Sequence, residues 1–254
     1  MDLVGLYNNA HNITEEMSNR NKYTFLAYLN ILKGRYLDIN DVLTNDLDLS
    51  RYIERHGEIM LFPNYVNGKM VDIFIRPIDK LSTPLTYKLK DLPYGIGNLT
   101  PNFKYGDTIF VVEGIADYGA LKLIDTGINV IALRTNGFPK SMYGLLASIT
   151  NNIVMIPDSD EAGHVTIKKA TRRFKELGVT FSYFEQYYKY KDTGDFATDV
   201  LEYTKTKSIE LKEDIELASK YYINNIVLNG GLKKHGKEEI WEIILYRYEY
   251  AEPT

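Results

Sequence analysis

Two short stretches of this chain set carboxylates where they can gather a metal ion. EGIAD at 113–117 follows the apolar run Ile109 to Val112, and DSDEAG at 158–163 follows the apolar run Ile153 to Ile156. Carboxylates held a few Å apart repel by about 4 kcal/mol per pair at an effective dielectric of about 20. A hard divalent cation removes that penalty, and Mg²⁺ takes a few carboxylates together with waters and phosphate oxygens. The pattern points to a Mg²⁺ (or Mn²⁺) site built from Glu113, Asp158 and Asp160, with Asp117 one helical turn further on as a fourth acid. Acids after strands also cap helices or sit in solvated loops, and for Asp117 alone that use has equal weight. An EF-hand loop does not explain DSDEAG. Its fifth position is Ala162, and its twelfth, where such a loop needs a bidentate Glu, is Lys169.

The elements that must hold these acids follow from the flanking pattern. Short apolar runs bounded by turn signals read as strands buried on both faces. A helical pattern follows Glu113-Gly114, then INVIALR at 128–134, a short polar helix, the second acidic strand, a helix beginning at Glu161, and VTFSYFE at 179–185. This is β-α-β-α-β-α with a parallel sheet, in which ligands bind off the carboxyl ends of the strands. Thr135-Asn136-Gly137 is a turn on that same edge. Lys168, Lys169, Arg172, Arg173 and Lys175 read as the solvated face of the last helix. Lys191-Asp192-Thr193-Gly194-Asp195, taken alone, is a polar turn.

Together, EGIAD and DSDEAG at strand ends resemble the TOPRIM domain. That domain occurs in bacterial-type (DnaG-like) primases, type IA and II topoisomerases, OLD-family nucleases and a ribosomal-RNA maturation nuclease. The resemblance implies an α/β fold: a TOPRIM-type parallel sheet flanked by helices, with an N-terminal α+β subdomain and a C-terminal helical tail. It implies catalytic roles for Glu113, Asp117, Asp158 and Asp160. A third acidic motif completes the family's metal cluster. Asp192 matches its first acid, while Asp195 is displaced by one residue, so the implied ligands are Glu113, Asp158, Asp160, Asp192 and Asp195.

The rest of the chain sets bounds. Of 254 residues 44% are hydrophobic and 25% charged, which suits a packed globular protein. With no cysteine and four scattered His, disulfides, Cys-ligated zinc and iron–sulfur clusters are excluded. No stretch reads as a signal peptide or transmembrane span, so the expected location is the cytoplasm of a bacterium or an infected host cell, with no membrane partner. A net charge of −4 predicts that any nucleic-acid contact is local or assisted. Residues 1–57 read as helical, with Asn12 and Glu15 as a capping box. Residues 58–79 read as a β-hairpin turning at Asn67-Gly68, and 80–105 as a loop. Helices are expected over 208–225 and 236–250, giving units 1–105, 106–200 and 201–254.

Leu61-Phe62-Pro63, Gly68, Arg76 and Tyr87-Lys88 loosely resemble the N-terminal part of the primase RNA-polymerase core. Independently of that, cations bind phosphate oxygens and aromatic faces stack bases. Arg76, Lys80, Tyr87, Lys88 and Lys90 are therefore the candidate nucleic-acid and nucleotide contacts. The resemblance implies metal-dependent synthesis of short RNA primers on a single-stranded DNA template from nucleoside triphosphates, in a primase of phage or mobile-element kind. The family usually adds an N-terminal zinc-binding domain. Without cysteines here, a separate zinc module or a replicative helicase is the expected partner. Two rivals stay open: a TOPRIM metal-dependent nuclease, and a non-catalytic replication-associated binding protein. The chain is too short for the gate domains of a topoisomerase.

Overall fold

The computed structural model describes residues 3–14, 25–37, 47–78, 85–86, 92–135, 137–158, 160–183 and 193–195. The chain opens with α1 (Leu3–Asn8), β1 (His11–Asn12), a π-helical segment at Ala27–Ile31, β2 (Arg35–Leu37) and α2 (Leu47–His56). Next come β3 (Ile59–Val66) and β4 (Lys69–Pro77), the hairpin that Asn67-Gly68 predicts. Asn67 and Gly68 have φ of 51° and 72°, the doubly positive signature of a type I′ turn. β5 (Leu85–Thr86) adds to the far side, giving an antiparallel sheet of order β1-β2-β3-β4-β5. The helical reading of 1–57 is corrected here. His11–Asn12 and Arg35–Leu37 are strands, and Asn12 pairs with Arg35 rather than capping a helix. The hairpin's outer backbone groups need partners, and that tertiary demand outweighs local helical periodicity.

IFVV and NIVMI become central strands because neither face of them tolerates water. β6 (Ile109–Val112), α3 (Ile115–Ile124), β7 (Val130–Ala132), α4 (Lys140–Ile149), β8 (Asn152–Ile156), α5 (Glu161–Glu176) and β9 (Thr180–Tyr183) follow in order. The strands form a parallel sheet of order β7-β6-β8-β9. Alternate residues divide between two cores. Phe110, Val112, Val154 and Ile156 face Ile115, Tyr118 and Leu121 of α3, and beyond them Tyr28, Phe62 and Phe74 of the N-terminal half. Ile109, Val111, Ile153 and Met155 face Met142 and Leu146 of α4 and Ile167, Ala170 and Phe174 of α5. The helix expected to be short and polar is thus amphipathic, with Met142, Tyr143 and Leu146 buried. A third cluster sets Leu61, Ile73 and Ile75 against Leu6 and Ile53. The expected helices over 208–225 and 236–250 lie outside the described residues.

Residues 92–95 stitch the two sheets together. Tyr94 exchanges backbone hydrogen bonds with Ala132 (2.9 and 3.0 Å), and its hydroxyl donates to the Pro63 carbonyl at 3.0 Å. Asn64 Nδ2 donates to the Pro93 carbonyl at 3.2 Å, and Gly95 N donates to Asn64 Oδ1 at 3.1 Å. A further tie is ionic. Arg134, just past β7, donates from Nη1 to Asp72 Oδ2 of β4 at 2.7 Å, with side-chain exposures of 1% and 0%. Its Nη2 donates to the Leu92 carbonyl. Burial pushes the Asp72 carboxyl up, and the hydrogen bond and charge of Arg134 pull it back down. Breaking one side of such a pair leaves an uncompensated buried charge. Arg134→Met should lose about 3–5 kcal/mol in urea unfolding, and Asp72→Leu added to it should restore most of that. An Arg134→Met variant as stable as the parent would show that the pair contributes nothing.

Candidate active site

The acids stand where the parallel sheet delivers them. Glu113 follows β6 and Asp158 follows β8, and these strands are hydrogen-bonded neighbours with Val112 opposite Ile156. Asp158 N donates to Glu113 Oε1 at 3.4 Å. The Glu113 carboxyl, half-buried, is pushed up from 4.5 to about 7. Burial is the largest cause, followed by the charge of Asp158, and the charge of Asp160 adds to it. Glu113 is also fixed along the chain, because Arg134 N donates to its carbonyl at 2.9 Å.

The neighbouring acids make different bonds. Asp160 is the N-cap of α5 and accepts from Gly163 N at 2.8 Å. A Cβ on Gly163 would lie 2.4 Å from the Asp158 carbonyl oxygen and 3.3 Å from Glu113 Oε1, so the Ala-Gly of the motif lets α5 start against both acids. Asp117 is buried in the first turn of α3, and its Oδ1 accepts from Gly194 N at 2.9 Å. A Cβ on Gly114 would lie 2.7 Å from Asp117 Oδ2, which accounts for the Gly of EGIAD. Asp117 thereby ties the 193–195 segment to α3. Among the described residues no three His, Cys, Asp or Glu side chains form a group that could hold a metal ion. Glu113, Asp160 and Asp117 each accept from a backbone N–H, that of Asp158, Gly163 and Gly194 respectively.

Asp195 is exposed, and residues 193–195 are helical rather than the polar turn that the sequence suggests. Asp192, Lys80, Tyr87, Lys88 and Lys90 lie outside the described residues. Arg76 is on β4, in the antiparallel sheet, and its Nη1 donates to the Tyr28 hydroxyl at 3.0 Å. Sequence reading passed over Arg134 and Asp72. A lone acid inside the apolar strand VDIFI was a signal for a buried counter-charge, but only the fold shows which cation meets it.

Residues 110–197 match the Toprim-like family model. That match takes in β6 to β9 and the helices between them. No curated protein matches the sequence. The whole fold is similar to solved primase cores. A DnaG primase catalytic domain solved with single-stranded DNA bound is 14% identical, with 89% of this chain and 81% of that one covered and a TM-score of 0.57. The E. coli primase catalytic core is 14% identical, covering 88% and 82%, at a TM-score of 0.55. A DNA primase domain from Pseudomonas aeruginosa is 14% identical, covering 96% and 98%, at a TM-score of 0.55. The Toprim-like domain thus sits in a fold of primase-core type, its sheet flanked by helices. Among the described residues no helix is long and apolar enough to cross a membrane.

Two outcomes follow from this geometry. A carboxyl raised from 4.5 to about 7 holds its proton in the folded state and releases it on unfolding. Its stabilisation is therefore complete below about pH 4.5 and is lost as pH rises through about 7. In EDTA, the stability of the parent relative to Glu113→Gln should fall between those pH values by on the order of 1–2 kcal/mol, the full shift being discounted for solvent screening. A flat difference across that range would place Glu113 in water. Gly163→Ala should lose about 1–3 kcal/mol in urea unfolding through overpacking against Asp158. No loss would mean that the start of α5 is looser than its 2.4 Å approach indicates.

Proposed function

We propose that this chain is a primase catalytic core, transferring nucleotides from nucleoside triphosphates to a growing primer on single-stranded DNA. The observation that carries this reading is the extent of the fold. The likeness to primase cores spans 88–96% of this chain, taking in the antiparallel sheet as well as the Toprim-like domain. A nuclease has no need of that sheet in this form. Glu113, Asp158 and Asp160, joined by Asp192 and Asp195, are the oxygen donors proposed to hold Mg²⁺ or Mn²⁺. Hard carboxylate oxygens at neighbouring strand ends suit such an ion, with Glu113 raised to about 7 by burial first and by the charges of Asp158 and Asp160. When bound, it supplies charge to the attacking hydroxyl and to the pyrophosphate leaving group.

The chain's own groups do the rest. A 3′-oxygen bonds to the α-phosphorus, the bond to pyrophosphate breaks, and the hydroxyl proton passes to the Glu113 carboxylate. Arg134 and the Asp158 N–H hold Glu113 in place by its carbonyl and its Oε1. Arg76, Lys80, Tyr87, Lys88 and Lys90 are proposed to take up template and triphosphate, as a separate zinc module or helicase is proposed to assist initiation.

The test is template-directed synthesis on single-stranded DNA with labelled nucleoside triphosphates and Mg²⁺ or Mn²⁺. The control is Asp160→Asn, which removes the charge while keeping a capping side chain. The parent should make short labelled oligonucleotides, and the variant at least about a hundredfold fewer. Metal-dependent shortening of the DNA with no synthesis would replace this reading by a nuclease.

A further inference from the structure

A cavity of about 810 Å³ opens beside the acidic edge, between the loop after β7, α4 and the first turns of α5. Its wall includes Phe138, Tyr143, Asp160, Val165, Thr166 and Lys169. Phe138 is half-buried, with its ring centroid 5.3 Å from those of Tyr143 and Phe174, so packing from behind holds the ring in place. Val165 is 43% exposed although its helix faces this hollow. The wall is therefore apolar and rigid on one side. On the other it offers the Thr166 hydroxyl and the Lys169 ammonium, which donate, and the Glu161 carboxylate, which accepts. A flat aromatic ring with acceptor and donor atoms on its edge satisfies both sides. Asp160 belongs to this wall and also to the acidic edge, so a ring lodged here keeps an attached phosphate near the carboxylates.

We propose that this cavity binds a nucleobase, its face against Phe138 and Val165 and its edge toward Thr166 and Lys169. The proposal rests on reading the adjacent edge as a nucleotide-processing site. It adds that the base is held on the α4–α5 side of the parallel sheet, away from the antiparallel sheet that carries Arg76. Two sources share this chemistry, the incoming nucleotide and a base of the template strand.

The experiment is saturation-transfer NMR on the full chain in EDTA, with ATP in one arm and oligo(dT) in the other. Chelation keeps the result independent of metal-assisted phosphate binding. Base protons should receive saturation, and Val165→Glu, which sets a charge against the face of the ring, should weaken apparent affinity by about tenfold. Lys169→Ala should weaken it in the same direction. Arg172→Ala, on the same helix but outside the wall, should not. Saturation from ATP assigns the base to the nucleotide, and saturation from oligo(dT) alone assigns it to the template. No saturation in either arm, or saturation unchanged by both Val165→Glu and Lys169→Ala, overturns the proposal. Base binding by a parent protein that makes no primers would sink the primase reading and leave the cavity assignment standing. Primer synthesis without base-proton saturation would do the reverse.

Discussion

A buried guanidinium must find its counter-charge inside the protein, and Arg134 finds it in Asp72 across the gap between two sheets. A buried pair of this kind contributes little net stability over a well-packed apolar pair, but it tolerates few arrangements. Arg134 also carries φ of 64°, a left-handed value that costs a non-glycine residue about 1–2 kcal/mol. The side chain's partners hold it there. The guanidinium bonds Asp72 and the Leu92 carbonyl, and the backbone N–H bonds the Glu113 carbonyl. One residue thus sets the acid-bearing end of β6 against the antiparallel sheet and the 92–95 stitch.

That constraint gives the acidic edge its character. Side chains of one chemical type behave differently because their surroundings differ. Glu113, half-buried beside two like charges, keeps a proton near neutrality. Asp160 is held at the start of α5 by the Gly163 N–H. Asp117, buried, holds the Gly194 N–H and joins the third acidic segment to α3. In the proposed chemistry these become a proton acceptor, a metal anchor and a brace. The two glycines of the motifs have no side-chain chemistry, yet each leaves the space in which an acid or its carbonyl sits.

The sheet's two faces separate the surroundings of that edge. The face carrying α3 is closed by the N-terminal half through Tyr28, Phe62 and Phe74. The face carrying α4 and α5 closes on itself around Phe174 and leaves the cavity beside Asp160 open. The proposed chemistry thus has the antiparallel half on one flank and the cavity walled by Phe138 and Tyr143 on the other.

The parallel strands, their helices and the Asn67-Gly68 hairpin were legible in the sequence, because apolar runs and turn residues act over a few positions. So was the placement of Glu113, Asp158 and Asp160, since a strand's end fixes where the next residue stands. What local pattern could not reveal was any partnership between distant residues. β1 and β2 are strands only because the hairpin's open edge needs hydrogen bonds. Asp117 became a brace because Gly194 lies within 2.9 Å of it in space and 77 residues away in sequence. Arg76 met Tyr28, and Arg134 met Asp72. The sequence by itself determined the elements of the parallel sheet, the Asn67-Gly68 hairpin and which strand ends bear acids. Only the tertiary structure decided which charges are buried and what they face, because desolvation and pairing depend on neighbours that the chain brings from far away.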